Sequence, residues 1–329
     1  MPKPPIAQIR SSSKSRAFVA TLLLVLAGGV FAQQNPPVEA PMRVGFSSAV
    51  FIGLNMIDAR NSIKALTASL AHEYDIPINS DPLIYGNVDE AERILHRHQV
   101  GAINMTTRDY WLLRQSVEFD RFLVTIRNGT PDEVYIVLAS ESSAITKLSD
   151  LQGKHLIVMT SLAMDLATVW LDVELAKLAL PQTTAFLGRI SESAKPAKVA
   201  LPVFFGQADA CLISSRAHAT MVELNPQVGR QLHIVATSPN YITALFGFCT
   251  DLSPALKEKT LHAFSKLHST TIGQQTLTLF QTEAISECSA SAFATSLALL
   301  DEHARLCPAA NASMTATLRG QRATPLQTP

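Results

Sequence analysis

Residues 99–108 read Gln-Val-Gly-Ala-Ile-Asn-Met-Thr-Thr-Arg, an apolar run that stops at two hydroxyls and a basic side chain. The same event recurs three more times. Met42–Phe46 (MRVGF) runs into Ser47 and Ser48, His155–Met159 (HLIVM) into Thr160 and Ser161, and Ala210–Ile213 (ACLI) into Ser214, Ser215 and Arg216. Short runs rich in β-branched and aromatic residues are strand signals, and Ser or Thr ahead of a helix-period segment marks a helix start. Each junction therefore predicts a strand whose carboxyl end feeds a helix. Further strand-like runs, RFLVTI, VYIVLA, LHIVAT and ALFGFCT, alternate with helical segments along the chain. That alternation predicts an α/β protein of mostly parallel sheets flanked by helices.

Caps and periodicity mark the helices. Asn87 with Glu90 has capping-box spacing, ahead of a stripe of Val88, Ala91, Ile94 and Leu95. Ser253 precedes Pro254, the residue best suited to a first helical position, ahead of Leu256, Phe264 and Leu267. The stripe Leu162, Leu166, Val169, Trp170, Val173 and Ala176 is ordinary core packing.

The N-terminus sets the compartment. Lys3, Arg10, Lys14 and Arg16 precede the charge-free run Ala17–Val30, and Val30-Phe31-Ala32 offers small residues at the positions that a leader peptidase reads. A bilayer core needs roughly 20 apolar residues, so residues 1–32 are expected to be a cleaved signal peptide rather than an anchor, and the mature chain to be periplasmic and soluble. Residues 33–41 (QQNPPVEAP) form a Pro-rich linker, and 309–329 are expected to be a disordered tail. The chain has 27 basic and 27 acidic residues; loss of the leader would leave it about four charges negative. Such a balance, without a basic run after residue 16, excludes a nucleic-acid surface. Cys211 and Cys249 fall in apolar strand-like runs, whereas Cys288 and Cys307 bracket one helix-period segment and are expected to form a disulfide, the alternative being four free thiols.

No catalytic constellation has the required spacing. G-x-S-x-G, H-E-x-x-H, the Walker loop and G-x-G-x-x-G are all missing, and His96 and His98, two apart on a helix, project roughly 200° apart and cannot share a metal. No enzyme activity, cofactor or metal is expected. The four hydroxyl junctions instead place Ser47, Ser48, Thr106, Thr107, Thr160, Ser161, Ser214 and Ser215 at the carboxyl ends of strands, where open α/β sheets bind ligands. Helix N–H groups and the positive dipole end favour an anion there, and Arg108 and Arg216 add charge. The competing reading is that these residues only cap helices.

The segment 149–158, Ser-Asp-Leu-Gln-Gly-Lys-His-Leu-Ile-Val, resembles the D-L-x-G-K opening of the second lobe in type 2 periplasmic binding proteins. Phe205–Cys211 (FGQADAC) is similar to their G-x-x-D-A strand entry, and with Asn104–Tyr110 and Leu277–Gln281 the order matches the phosphate/phosphonate-binding components of ABC transporters over about residues 42–306. The resemblance implies a ligand cleft between two lobes, 42–136 plus 242–308 and 137–241, with hinge segments near Ala139 and Ser238. It implies a monomeric receptor that hands a small polar, anionic ligand to an ABC permease; the alternative is a sensory or orphan ligand-binding domain reporting to a membrane partner. Where that family commonly has Ser/Thr-Ser-Gly around the phosphonate, this chain has Thr160-Ser161-Leu162, so the fold and cleft carry over and phosphonate as the ligand does not.

Overall fold

The computed structural model describes residues 41–320; the expected leader lies outside the described residues, as does nearly all of the linker. The first pass of the chain builds β1 (Val44–Ser47), α1 (Met56–Tyr74), β2 (Leu83–Tyr85), α2 (Val88–His96), β3 (Ala102–Thr106), α3 (Thr107–Leu113) and β4 (Phe119–Ile126). The chain then crosses to a second lobe, made of β5 (Tyr135–Ser140), β6 (His155–Met159), α4 (Ala167–Lys177), α5 (Thr183–Phe186), β7 (Arg189–Ser193) and α6 (Pro196–Phe204). That lobe is completed by β8 (Ala210–Ser214), α7 (Ser215–Leu224), α8 (Pro226–Gln231) and β9 (Leu232–Thr237). A return crossing gives β10 (Ala244–Cys249), α9 (Pro254–Ser265), α10 (Thr271–Leu279), β11 (Ala284–Cys288), α11 (Ala294–Leu306) and α12 (Pro308–Leu318). The helices start where their caps stand: Asn87 accepts from the Glu90 N–H and Ser253 from the Leu256 N–H. No helix of the described residues is long and apolar enough to cross a membrane.

Both sheets are mixed rather than mostly parallel in their pairing. The first has the order β11-β4-β10-β3-β1-β2 and the second β7-β6-β8-β5-β9. β1 is parallel to β2 and β3, and β6 to β7 and β8, as the strand-to-helix junctions predict. Four of the five antiparallel pairs have one cause: β5 and β10 each arrive from the other lobe, enter their sheet from the opposite end, and so run against both neighbours; the fifth is the edge strand β11 against β4.

Those two entries fix where the chain crosses between the sheets, and the first crossing is not at the expected position. Ala139 is fully buried inside β5; the crossing lies at residues 127–134, with the return at 238–243. The two crossings hold one another. Glu133 and Tyr241 exchange backbone hydrogen bonds of 2.8 and 2.9 Å, and Ser238 Oγ accepts from the Tyr135 N–H at 2.8 Å.

Two further expectations are overturned. The cysteines are all free: Cys288 ends β11 and Cys307 follows the 13-residue α11, and the expected bridge between them is not formed. Residues 309–318 of the expected disordered tail belong to α12, with Pro308 at its start, and Arg319 at its end pairs with Asp89 at 2.7 Å.

The D-L-x-G-K segment has a structural meaning here. Asp150 Oδ2 accepts from the Thr146 and Lys147 N–H groups, Leu151 is buried, and Gly153 turns the chain with φ of +69°. His155 then donates its N–H to Asp209 Oδ2 at 2.8 Å, which ties this segment to the G-x-x-D-A entry of β8. Gly188 packs so closely that a Cβ there would lie 2.3 Å from the Gly153 carbonyl oxygen. Gly188→Ala is therefore expected to lower stability in urea unfolding by about 1–3 kcal/mol or more. Gly129→Ala, where φ is +75° and no atom lies within 4 Å, should lose only the left-handed penalty of about 1–2 kcal/mol.

Candidate functional site

A cleft of about 520 Å³ lies between the lobes, floored by the first crossing. The first lobe contributes the Ile52–Leu54 loop with Phe280 and Gln281; the second contributes Thr160–Ala163, Lys195 and the start of α7. Arg127, at the end of β4, and Arg216, on α7, reach in from opposite lobes toward Glu133 between them.

Glu133 is buried, and its two carboxylate oxygens each face one guanidinium at 3.7 Å: Oε1 faces Arg127 Nη1 and Oε2 faces Arg216 Nε. Those separations make ion pairs but exceed hydrogen-bond reach. Burial lifts the Glu133 carboxyl above the usual carboxylate range, while Arg216 and Arg127 pull the other way. Burial likewise holds Arg127 below its ordinary value, with the Arg216 charge adding to that and Glu133 opposing it. Backbone carbonyls position both side chains: Arg127 Nε donates to Gln281 O at 2.9 Å and Arg216 Nη2 to Asp132 O at 3.0 Å. What remains is a set of buried donors, Arg216 Nε and Nη1 and Ser161 Oγ, without a hydrogen-bond partner among the described residues. Buried polar groups are almost always paired, so unmatched donors lining a cleft of net positive charge suit an anion.

Of the residues expected to bind ligand, the structure brings Thr160, Ser161, Ser214 and Arg216 to this cleft. Ser214 Oγ also caps α7, accepting from the Ala217 N–H at 3.2 Å. Ser215 lines a separate cavity behind Arg216, beside Asp132 and Asn240. The first-lobe residues have internal partners instead. Thr106 and Asp109 form a reciprocal capping box, Thr107 Oγ1 donates to Ile242 O at 2.6 Å, and Ser47 is buried at the end of β1 near Asp109. Ser48 only opens a short 3-10 turn, Ser48–Phe51. Arg108, expected to meet the ligand, is ion-paired with Asp165 of the other lobe, Nε to Oδ2 at 2.9 Å. It borders a cavity of about 260 Å³ under α12, away from the cleft.

Arg127, Glu133, Lys195 and Gln281 escape a search for hydroxyls at strand ends. One local signal does point to the first two: Asn128-Gly129, both with positive φ, makes the tight turn that closes Arg127 onto Thr130. Among the described residues, no group of three His, Cys, Asp or Glu side chains is placed to hold a metal.

Residues 57–293 match the family model of the periplasmic substrate-binding protein of phosphonate ABC transporters. The chain belongs to that family. The binding protein is also similar in fold to solved structures. XAC2383 from Xanthomonas citri bound to ATP is 17% identical, covering 81% of this chain and 98% of its own, with a TM-score of 0.58. A binding protein component of an ABC phosphonate transporter, PA3383 from Pseudomonas aeruginosa, is 14% identical over 86% of this chain and 97% of its own, with a TM-score of 0.53. PhnD1 from Prochlorococcus marinus in complex with methylphosphonate is 12% identical over 80% and 97%, also at 0.53. No curated protein matches the sequence.

The two classes of junction residue separate experimentally. Thr106→Ala in the binding protein is expected to cost about 0.5–2 kcal/mol of stability as a lost cap. Arg108→Met should cost about 3–5 kcal/mol by leaving Asp165 buried and unpaired. Thermal or urea melts read both losses, and calorimetric titration of either folded variant should return the parent's ligand affinity.

Proposed function

We propose that this protein captures a small anion, a phosphonate, phosphate or similar oxyanion or carboxylate, between its lobes and presents it to an ABC permease. The observation that carries the reading is the unmatched donor set of Arg216 and Ser161 in a cleft that Arg127 and Lys195 keep positive against the single carboxylate of Glu133. An anion placed there meets donors from both lobes, so binding favours the closed arrangement, and residues 127–134 and 238–243 absorb the backbone change. Glu133 holds the two guanidinium groups in place at the cost of competing with the ligand for them. We also assign export to the N-terminal segment, with cleavage after Ala32.

Calorimetric titration with inorganic phosphate and methylphosphonate tests the reading. A hydrogen bond to a charged group is worth about 1.5–3 kcal/mol, so Arg216→Met and Arg127→Met should each raise Kd about ten- to a hundred-fold, and Glu133→Gln should lower it. Unchanged affinity in both arginine variants would sink the proposal. N-terminal sequencing of protein recovered from the periplasm should begin at Gln33; an intact Met1 there would refute the cleavage site.

A further inference from the structure

The cleft does not end at its polar floor. Val50, Arg127, Leu162 and Phe280 line it and at the same time line a second, smaller cavity of about 90 Å³ inside the first lobe. That inner chamber is walled by Ile63 and Leu66 of α1, Phe246 of β10, Phe264 and Leu277. Three of its four threonines are already engaged: Thr67, Thr276 and Thr282 each donate to a backbone carbonyl, of Ile63, Ile272 and Ile126, at 2.8–2.9 Å. Thr125 and Asn104 complete the polar part of a lining that is otherwise apolar, so the chamber is a mainly hydrocarbon environment beside a cationic one.

Leu162 stands at the neck between the two. It belongs to the second lobe, follows the unmatched Ser161 directly, and packs against the apolar core of the first lobe. The same short segment thus places a hydroxyl in the polar cleft and an apolar side chain at the mouth of the chamber. A void of this size in an otherwise close-packed core exceeds the roughly 30 Å³ share of one water, and dry apolar cavities of about 150 Å³ take up benzene.

We infer that the ligand is an amphiphilic anion, its oxyanion group on Arg127, Arg216 and Ser161 and a short hydrocarbon arm passing Leu162 into the first-lobe chamber. This rests on the anion reading above and adds the arm. Arg127 and Phe280 line both cavities, so the junction between head and arm falls at the boundary between the two environments.

The test is a calorimetric series of methyl-, propyl-, hexyl- and phenylphosphonate on the unmodified mature protein. Each methylene that enters the chamber should lower Kd about fourfold until the chamber is full. In Ile63→Phe, which fills the chamber from α1, the ratio of hexyl- to methylphosphonate affinity should fall toward one. Leu277→Phe repeats that reading from the opposite wall. If methylphosphonate binds and Kd is indifferent to chain length, the arm is overturned and the anion reading stands. If no member of the series binds, the anion reading fails and the inference falls with it.

Discussion

Glu133 is a buried carboxylate that neither lobe can satisfy alone. An isolated charge at that depth would cost several kcal/mol, and among the described residues its ion-pair partners are Arg127, just after β4, and Arg216 of α7, each 3.7 Å away. Its backbone is committed as well, through the paired hydrogen bonds to Tyr241 of the return crossing. One residue therefore fixes where the two crossings lie against each other and where the two guanidinium groups point. The cleft inherits its charge and its donors from that arrangement. Because the pairs are too long to be hydrogen bonds, the carboxylate neutralises the arginines without saturating them.

The lobes that meet at this point are held internally by different means. In the second, Asp209 and His155 bond the strand entry of β8 to the turn that starts β6, while Gly153 and Gly188 let two loops approach to a distance that no side chain would tolerate. In the first, the strand ends are sealed by Thr106 and Asp109 capping one another and by Thr107 bonded across to Ile242. The sealing explains why first-lobe hydroxyls face inward. Only the second-lobe junctions stay open to the cleft.

This asymmetry decides how much of the site could be seen in the sequence. The strand-to-hydroxyl junctions were visible at all four places, and all four are where strands end; the two-lobed fold followed from their alternation and from the D-L-x-G-K and G-x-x-D-A segments. Whether a hydroxyl caps its own helix or faces a ligand depends on what packs over it, which spacing does not encode. Arg127 and Glu133 are six residues apart but separated by a tight turn, and Arg216 joins them only through tertiary folding. Cys288 and Cys307 do bracket one helix, but bracketing in sequence does not bring two thiols together in space, and both are free. The tail expectation failed because low charge and abundant Ala and Thr suit an exposed helix as well as a coil, and the Arg319 pairing with Asp89 and Glu92 ties that helix to α2.

On the side away from the cleft, the lobes share a continuous apolar core. Tyr135 stacks on Tyr241 at 5.7 Å, and residues of the second lobe such as Trp170 and Val173 belong to the same buried cluster as Phe293 and Leu300 near and within α11. The Arg108–Asp165 pair bridges the lobes at this same face, with both groups close to Tyr135. Interfaces of that kind resist separation, so lobe motion that tore α11 from α4 would expose apolar surface and strand a buried charge. The less costly movements are therefore those that leave α11 on α4 and Arg108 on Asp165.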